Sequence, residues 1–161
     1  MRKTWAFEQR SIVDASPEAV WGRVVTPEGI NDEMRPWMTM TVPSRAEGVT
    51  IDTLTVGTPI GRAWLRLFGI VPFDYDYLCV NLVEPGRRFR EESTMASMRS
   101  WVHDRSVIAG PGGGTEVIDV VTFSPRLVLV PLGPVLRLVL AAFFRHRHRR
   151  LVRHFVGAPL A

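Results

Sequence analysis

Apolar and polar positions change period along this chain, and the change separates strands from helices. Residues 4–14 carry Trp5, Phe7, Ile12 and Val13 and have strand character. Ser16-Pro17-Glu18-Ala19 is a helix start, with Ser16 as cap and Pro17 in the first turn; it predicts a short helix to about residue 25. Thr26-Pro27-Glu28 repeats the signal and predicts a second helix over 27–34, stopped by Pro36. The pattern then turns β-rich. Strands are expected at 37–42, 48–57, 62–68, 75–83, 87–95, 98–109 and 115–124. Pro85-Gly86 and the run from Gly110 to Gly114 are turns between them. Pro134 opens a last helix to about residue 155, roughly 33 Å long at 1.5 Å per residue. Strands segregated from helices in this order predict an α+β fold with an antiparallel sheet of about six or seven strands.

The glycine turn sets a register. If Ala109 and Thr115 flank it, Arg105 faces Asp119, His103 faces Val121, Trp101 faces Phe123 and Val107 faces Val117, all on one side of the sheet. This set holds the aromatic residues and is placed inside. Extension through Pro85-Gly86 puts Leu82 opposite Phe89, Val80 opposite Glu91 and Leu78 opposite Ser93. The expected concave face is therefore apolar, through Leu78, Val80, Leu82, Phe89, Trp101, Val121 and Phe123. A polar island of Glu91, His103, Arg105 and Asp119 interrupts it, the make-up of a ligand pocket. On the last helix, Leu136, Leu140, Phe143 and Leu151 recur near helical spacing; its first half is expected to seal a cavity of some 300–1,000 Å³ and its second half to emerge at the edge of the sheet.

Composition narrows the function classes. A chain of 161 residues suits a single domain over 1–161, able to hold one core without staples. The single cysteine, Cys79, forbids an internal disulfide and is expected as a small buried hydrophobe, consistent with a cytoplasmic setting. The N-terminus, Met1-Arg2-Lys3-Thr4-Trp5, lacks the apolar region of a signal peptide. The apolar stretch 127–144 is broken by Pro131, Gly133, Pro134 and Arg137, and is read as a buried loop plus a core helix rather than a membrane span.

The formal charge of +4 is concentrated in Arg145-His146-Arg147-His148-Arg149-Arg150 and Arg153-His154. Arg145, Arg149 and Arg153, four apart, are expected in solvent, where they suit either an inert helix end or contact with an anionic membrane; no nucleic-acid partner is expected. His146 and His148 are two apart and do not share a helix face, so no metal is expected. The glycine turn lacks the Gly-Lys-Ser/Thr ending of a phosphate loop, and no nucleophile with a nearby base is recognisable.

Three segments carry a family likeness. Ala15-Ser16-Pro17-Glu18-Ala19-Val20-Trp21, the pair Trp101-Val102-His103-Asp104-Arg105 with Gly114-Thr115-Glu116-Val117-Ile118-Asp119, and Phe144-Arg145-His146-Arg147-His148-Arg149-Arg150-Leu151 resemble bacterial members of the START-like (SRPBCC) superfamily, which includes polyketide cyclases and Bet v 1-like proteins. The resemblance covers nearly the whole chain. It implies a helix-grip fold, a curved antiparallel sheet wrapped around one long C-terminal helix with two short helices after the first strand. Fold does not fix function. Two readings stay open. One is binding or carriage of a hydrophobic or amphipathic molecule (lipid, polyketide or isoprenoid-like) by Leu78, Val80, Phe89, Trp101, His103, Arg105, Asp119, Val121, Phe123, Leu136, Leu140 and Phe143, with no cofactor. The other is a cyclase or dehydratase using His103, Asp119 or Glu91 as acid and base. A purely structural Arg105–Asp119 pair with a hydrogen-bonded His103 is the bland alternative for the polar island.

Overall fold

Both helix starts fold as the side chains dictate. Ser16 Oγ accepts from the Ala19 N–H at 3.3 Å and Thr26 Oγ1 from the Gly29 N–H at 3.0 Å, each just ahead of a proline that needs no donor there. The computed structural model describes residues 3–156; residues 1, 2 and 157–161, the ends of the expected 1–161 unit, lie outside it, and with them Met1 and Arg2 of the N-terminal reading. Strand β1 is Trp5–Val13, helix α1 is Pro17–Val24 and α2 is Pro27–Met34. Then come β2 Met38–Met40, β3 Gly61–Leu67, β4 Val71–Leu78, β5 Val80–Glu84, β6 Arg88–Met95, β7 Met98–Ala109 and β8 Thr115–Pro125, before α3 Gly133–His154.

The strands form one antiparallel sheet in the order β1-β8-β7-β6-β4-β3-β2, with β5 also paired to β6. This is a helix-grip architecture, with eight strands rather than six or seven. Two strand expectations are corrected. Residues 48–57 form no strand but contain a 3-10 turn, Ile51–Thr53, stapled by Thr50 and Thr53. The expected strand 75–83 is two strands: β4 lies between β3 and the Thr94–Met95 end of β6, while β5 takes the Arg88–Glu91 end of β6. Cys79 lies at that break, half-buried rather than buried, its Sγ 3.0 Å from Asn81 Oδ1.

The β7–β8 register is the expected one, with Trp101 opposite Phe123, His103 opposite Val121 and Arg105 opposite Asp119. The β5–β6 register is not. Val80 faces Glu91 as expected, but an irregularity after it shifts Leu82 to Arg90 and Val83 to Phe89. One residue of slip reverses a side chain's face. Val83, not Leu82, therefore packs on the core around Val20, Trp21 and Phe89. A second cluster joins Phe7, Trp101, Val121, Phe123 and Phe144. Gly133 opens α3 because the Trp5 ring lies against it, only 2.1 Å from where a Cβ would sit.

The segment before and into α3 departs most from expectation. Leu127–Leu132 wind as a 3-10 turn that runs into the helix, so Leu127–His154 is one helical stretch long and apolar enough to cross a membrane by length and composition. It is not a buried loop: Leu127 is 79% and Val128 87% exposed. The first half of α3 leaves Val135, Leu138 and Val139 in solvent. The second half buries Phe144, Arg147, His148 and Leu151, at i, i+3, i+4 and i+7. The expected emergence of that half at the sheet edge is thus corrected, although Arg145, Arg149 and Arg153 are exposed as expected.

Candidate functional site

The concave face of the sheet, α2 and the first half of α3 enclose a cavity of about 540 Å³. Met34 of α2, Leu65 of β3, Leu78 of β4, Phe89 of β6 and Trp101 of β7 form its walls. Leu136, Leu140 and Phe143 of α3 close one side. Its rim is exposed and aromatic. Trp37 packs its ring 6.2 Å from Phe68, at the β3–β4 turn, and 6.3 Å from His146 on α3.

Of the residues expected at the ligand, Leu78, Phe89, Trp101, His103, Leu136, Leu140 and Phe143 line the cavity, as does Glu91. Val80, Arg105, Asp119, Val121 and Phe123 do not. They are on the buried side of the sheet, but other groups cover them. Val121 and Phe123 are sealed by Phe7 and Phe144. Val80 is buried in β5 and reaches no wall. Arg105 and Asp119 are fully buried beneath α2 and the second half of α3.

That cover is a closed network of charges. Arg105 Nε and Nη2 donate to Asp119 Oδ1 and Oδ2 at 2.7 and 2.6 Å. On its other side, Nη1 and Nη2 donate to Glu33 Oε1 and Oε2 at 2.7 and 3.0 Å. Arg147 adds a donor to Glu33 Oε2, also at 3.0 Å. His103 and His148 approach the two Asp119 oxygens through Nε2, each at 2.9 Å. A carboxylate only accepts, so both histidines carry a proton on Nε2. Ser11 Oγ lies 2.6 Å from His148 Nδ1. Asp119 thus accepts four hydrogen bonds, two at each oxygen. Burial would raise its pKa, but the charge of Arg105, then that of His103, outweighs burial and holds it well below the usual carboxylate range. Burial likewise works against the Arg105 guanidinium, and its two carboxylate partners overcome it and raise its pKa.

Sequence reasoning missed Glu33, Arg147 and His148, although the Phe144/Leu151 spacing places the last two on the buried face. It also missed Asp74 and Asp76, which line the cavity. The signal was present: Asp74, Asp76 and Leu78 alternate with Phe73, Tyr75 and Tyr77, so an inward Leu78 brings both aspartates inward. Asp74 accepts from the Tyr75 N–H at 2.8 Å and from the backbone N–H and hydroxyl of Ser97. Asp76 has no such partners. Burial first, then the neighbouring Glu91, pushes its pKa well above the usual range. Among the described residues no group of His, Cys, Asp and Glu is arranged to hold a metal ion.

Compared at the level of families, residues 11–155 match the one described as Domain of unknown function (DUF8410). The chain belongs to the DUF8410 family. Comparison with curated proteins finds no match. Solved structures similar to this DUF8410 chain include protein CV1439 from Chromobacterium violaceum, at TM-score 0.70 and 12% identity, covering 93% of this chain and 96% of that one. A START superfamily protein from Mycobacterium smegmatis follows at TM-score 0.69 and 11% identity, over 96% and 99%. Ara h 8.0201 aligns at TM-score 0.65 and 10% identity, over 96% and 99%. The DUF8410 fold is therefore START-like, of the helix-grip kind.

Proposed function

We propose that this protein binds and carries a hydrophobic or amphipathic small molecule, lipid, polyketide or isoprenoid-like, in the cytoplasm, working as one unit over residues 1–161. The observation that carries this reading is the largely apolar cavity of about 540 Å³, a space that well-packed interiors do not leave among their side chains and that falls in the range of small-molecule sites. The START name of one structural neighbour supports it. Native mass spectrometry of protein from its own host should show a bound small molecule that denaturation releases. Protein that is consistently empty, and that takes up no apolar fluorescent dye, would reject the reading.

A catalytic reading, of cyclase or dehydratase type, rests on His103. It lines the cavity and is held by Asp119, the arrangement of a positioned acid–base group, with Glu91 across the strand pair. Asp119 itself is sealed from the cavity, so its part would be to orient His103.

Membrane loading is a further part of the proposal. Arg145, Arg149 and Arg153 flank β1 beside Gln9 and Ser11. The exposed apolar groups Trp37, Phe73 and Val139 lie at the mouth instead, with Phe68 against Trp37. Residues 53–73 and 120–161 contain no Asp or Glu. An apolar mouth suits insertion into a bilayer surface, and a separate arginine flank suits the anionic lipids of that surface.

A further inference from the structure

Asp76 is only 3% exposed, lines the cavity, and has an oxygen, Oδ1, that receives no hydrogen bond from the described residues. A buried polar atom without a partner costs free energy unless something else supplies the bond. Its surroundings supply very little. Asp76 sits opposite Met95 and Ala63 in the sheet. Glu91 lines the same cavity and accepts from Ser93 Oγ at 2.7 Å. The two basic wall residues, Arg147 and His103, are engaged by Glu33 and Asp119. Asp76 and Glu91 together present four carboxyl oxygens. Against these stand one hydroxyl donor and at most the proton the pair retains. Around Asp76, acceptors outnumber donors in a space lined mostly by apolar side chains.

We propose that Asp76 and Glu91 form the polar anchor of the cavity and take the donor head of an otherwise apolar ligand, a hydroxyl group, while turning away ligands that carry a carboxylate. This deepens the carrier reading and rests on it. A hydroxyl gives its hydrogen to the unpartnered oxygen and accepts the pair's own proton in return, so both sides are satisfied without a buried cation. A ketone offers no hydrogen and leaves the orphan oxygen as it was. A carboxylate adds negative charge beside the acids and meets repulsion in a low-dielectric site. Burial and the neighbouring Glu91, which raise the pKa of Asp76, favour a proton held within the pair.

The test uses the full chain, an apolar fluorescent dye in the cavity, and displacement by a decanol, a decanone and decanoate of one chain length. Decanol should displace the dye about tenfold better than the ketone, as one extra hydrogen bond to a buried acceptor allows, and decanoate should be the weakest. Asp76→Leu should fold, since it removes an orphan polar group, and should abolish the decanol preference, decanol and decanone then displacing the dye equally. Asp76→Asn, which keeps an acceptor, should retain it. The infrared band of a protonated buried carboxyl should be present in the wild type, shift with decanol, and vanish in Asp76→Leu. If the three compounds compete equally in the wild type, or Asp76→Leu keeps the preference, the anchor is wrong and the carrier reading stands. If neither dye nor any compound binds the wild type, the carrier reading falls and the anchor with it.

Discussion

Two buried aspartates, Asp119 and Asp76, face the same side of one sheet and meet opposite fates. At the β7–β8 end, Glu33 and Asp119 are matched by Arg105, Arg147 and two histidines, and every carboxyl oxygen accepts at least one hydrogen bond. At the β4–β6 end, Asp76 and Glu91 have no cation, and Asp76 Oδ1 has no partner among the described residues. The desolvation is alike; the partners differ. Asp119 is driven well below the usual carboxylate range and Asp76 well above it. A buried acid surrounded by fixed donors behaves as structure. A buried acid that lines a cavity and lacks donors is left for a ligand to satisfy.

The largest test of this contrast removes Arg105. Arg105→Met should cost about 3–5 kcal/mol in urea unfolding, because it strands Glu33 and Asp119 without their main partner. Replacing Arg105 and Arg147 together with Asp119 and Glu33 by neutral groups of similar size should cost less than Arg105→Met alone, since no arginine or carboxylate charge is then stranded. Equal losses would mean that the charges matter only as volume.

The pH dependence of stability should carry two slopes of opposite sign. Asp119 has a lower pKa folded than unfolded. Its contribution is therefore present above the unfolded value of about 3.9 and is lost as pH falls through the folded value. Asp76 has a higher pKa folded than unfolded, so its contribution is present below about 3.9 and is lost as pH rises through the raised value. Asp119→Asn should flatten the acid limb. Asp76→Leu should flatten the upper limb and leave the protein more stable by about 1–2 kcal/mol once that limb is complete. Thermal unfolding across pH reads both, and an unchanged upper limb in Asp76→Leu would break the comparison.

Filling the cavity should separate binding from folding. Leu140→Trp, on the α3 wall, should abolish dye uptake while changing stability by no more than about 1.5 kcal/mol, because the ring enters space already present. The smallest effect is expected at the surface. Replacing Arg145, Arg149 and Arg153 with alanine should change stability by no more than about 0.5 kcal/mol each. On anionic vesicles, Phe68→Ser with Ile70→Ser at the β3–β4 turn should weaken attachment more than those arginine changes if the mouth does the docking. The reverse ranking would put docking on the arginine flank, and no attachment even at low salt would remove the membrane from the proposal.

The sequence by itself determined the segregation of strands from helices, both helix starts, the long helix and the β7–β8 register. Each of these is set within a few residues: Ser16-Pro17 and Thr26-Pro27 cap locally, and a five-residue glycine turn forces the pairing of Ala109 with Thr115. Period two then put Trp101, His103, Arg105 and Asp119 on one face. Tertiary structure decided what covers that face. Arg105 and Asp119 are structural because Glu33 arrives from 72 residues away and Arg147 and His148 come from the last helix. The split of 75–83 into two strands was equally non-local, because β4 and β5 take different stretches of β6 and only β4 also pairs with β3. Local pattern tells which side chains share a face, since backbone geometry repeats. Which of them meet a partner and which meet empty space depends on contacts distant in sequence, which that periodicity does not encode.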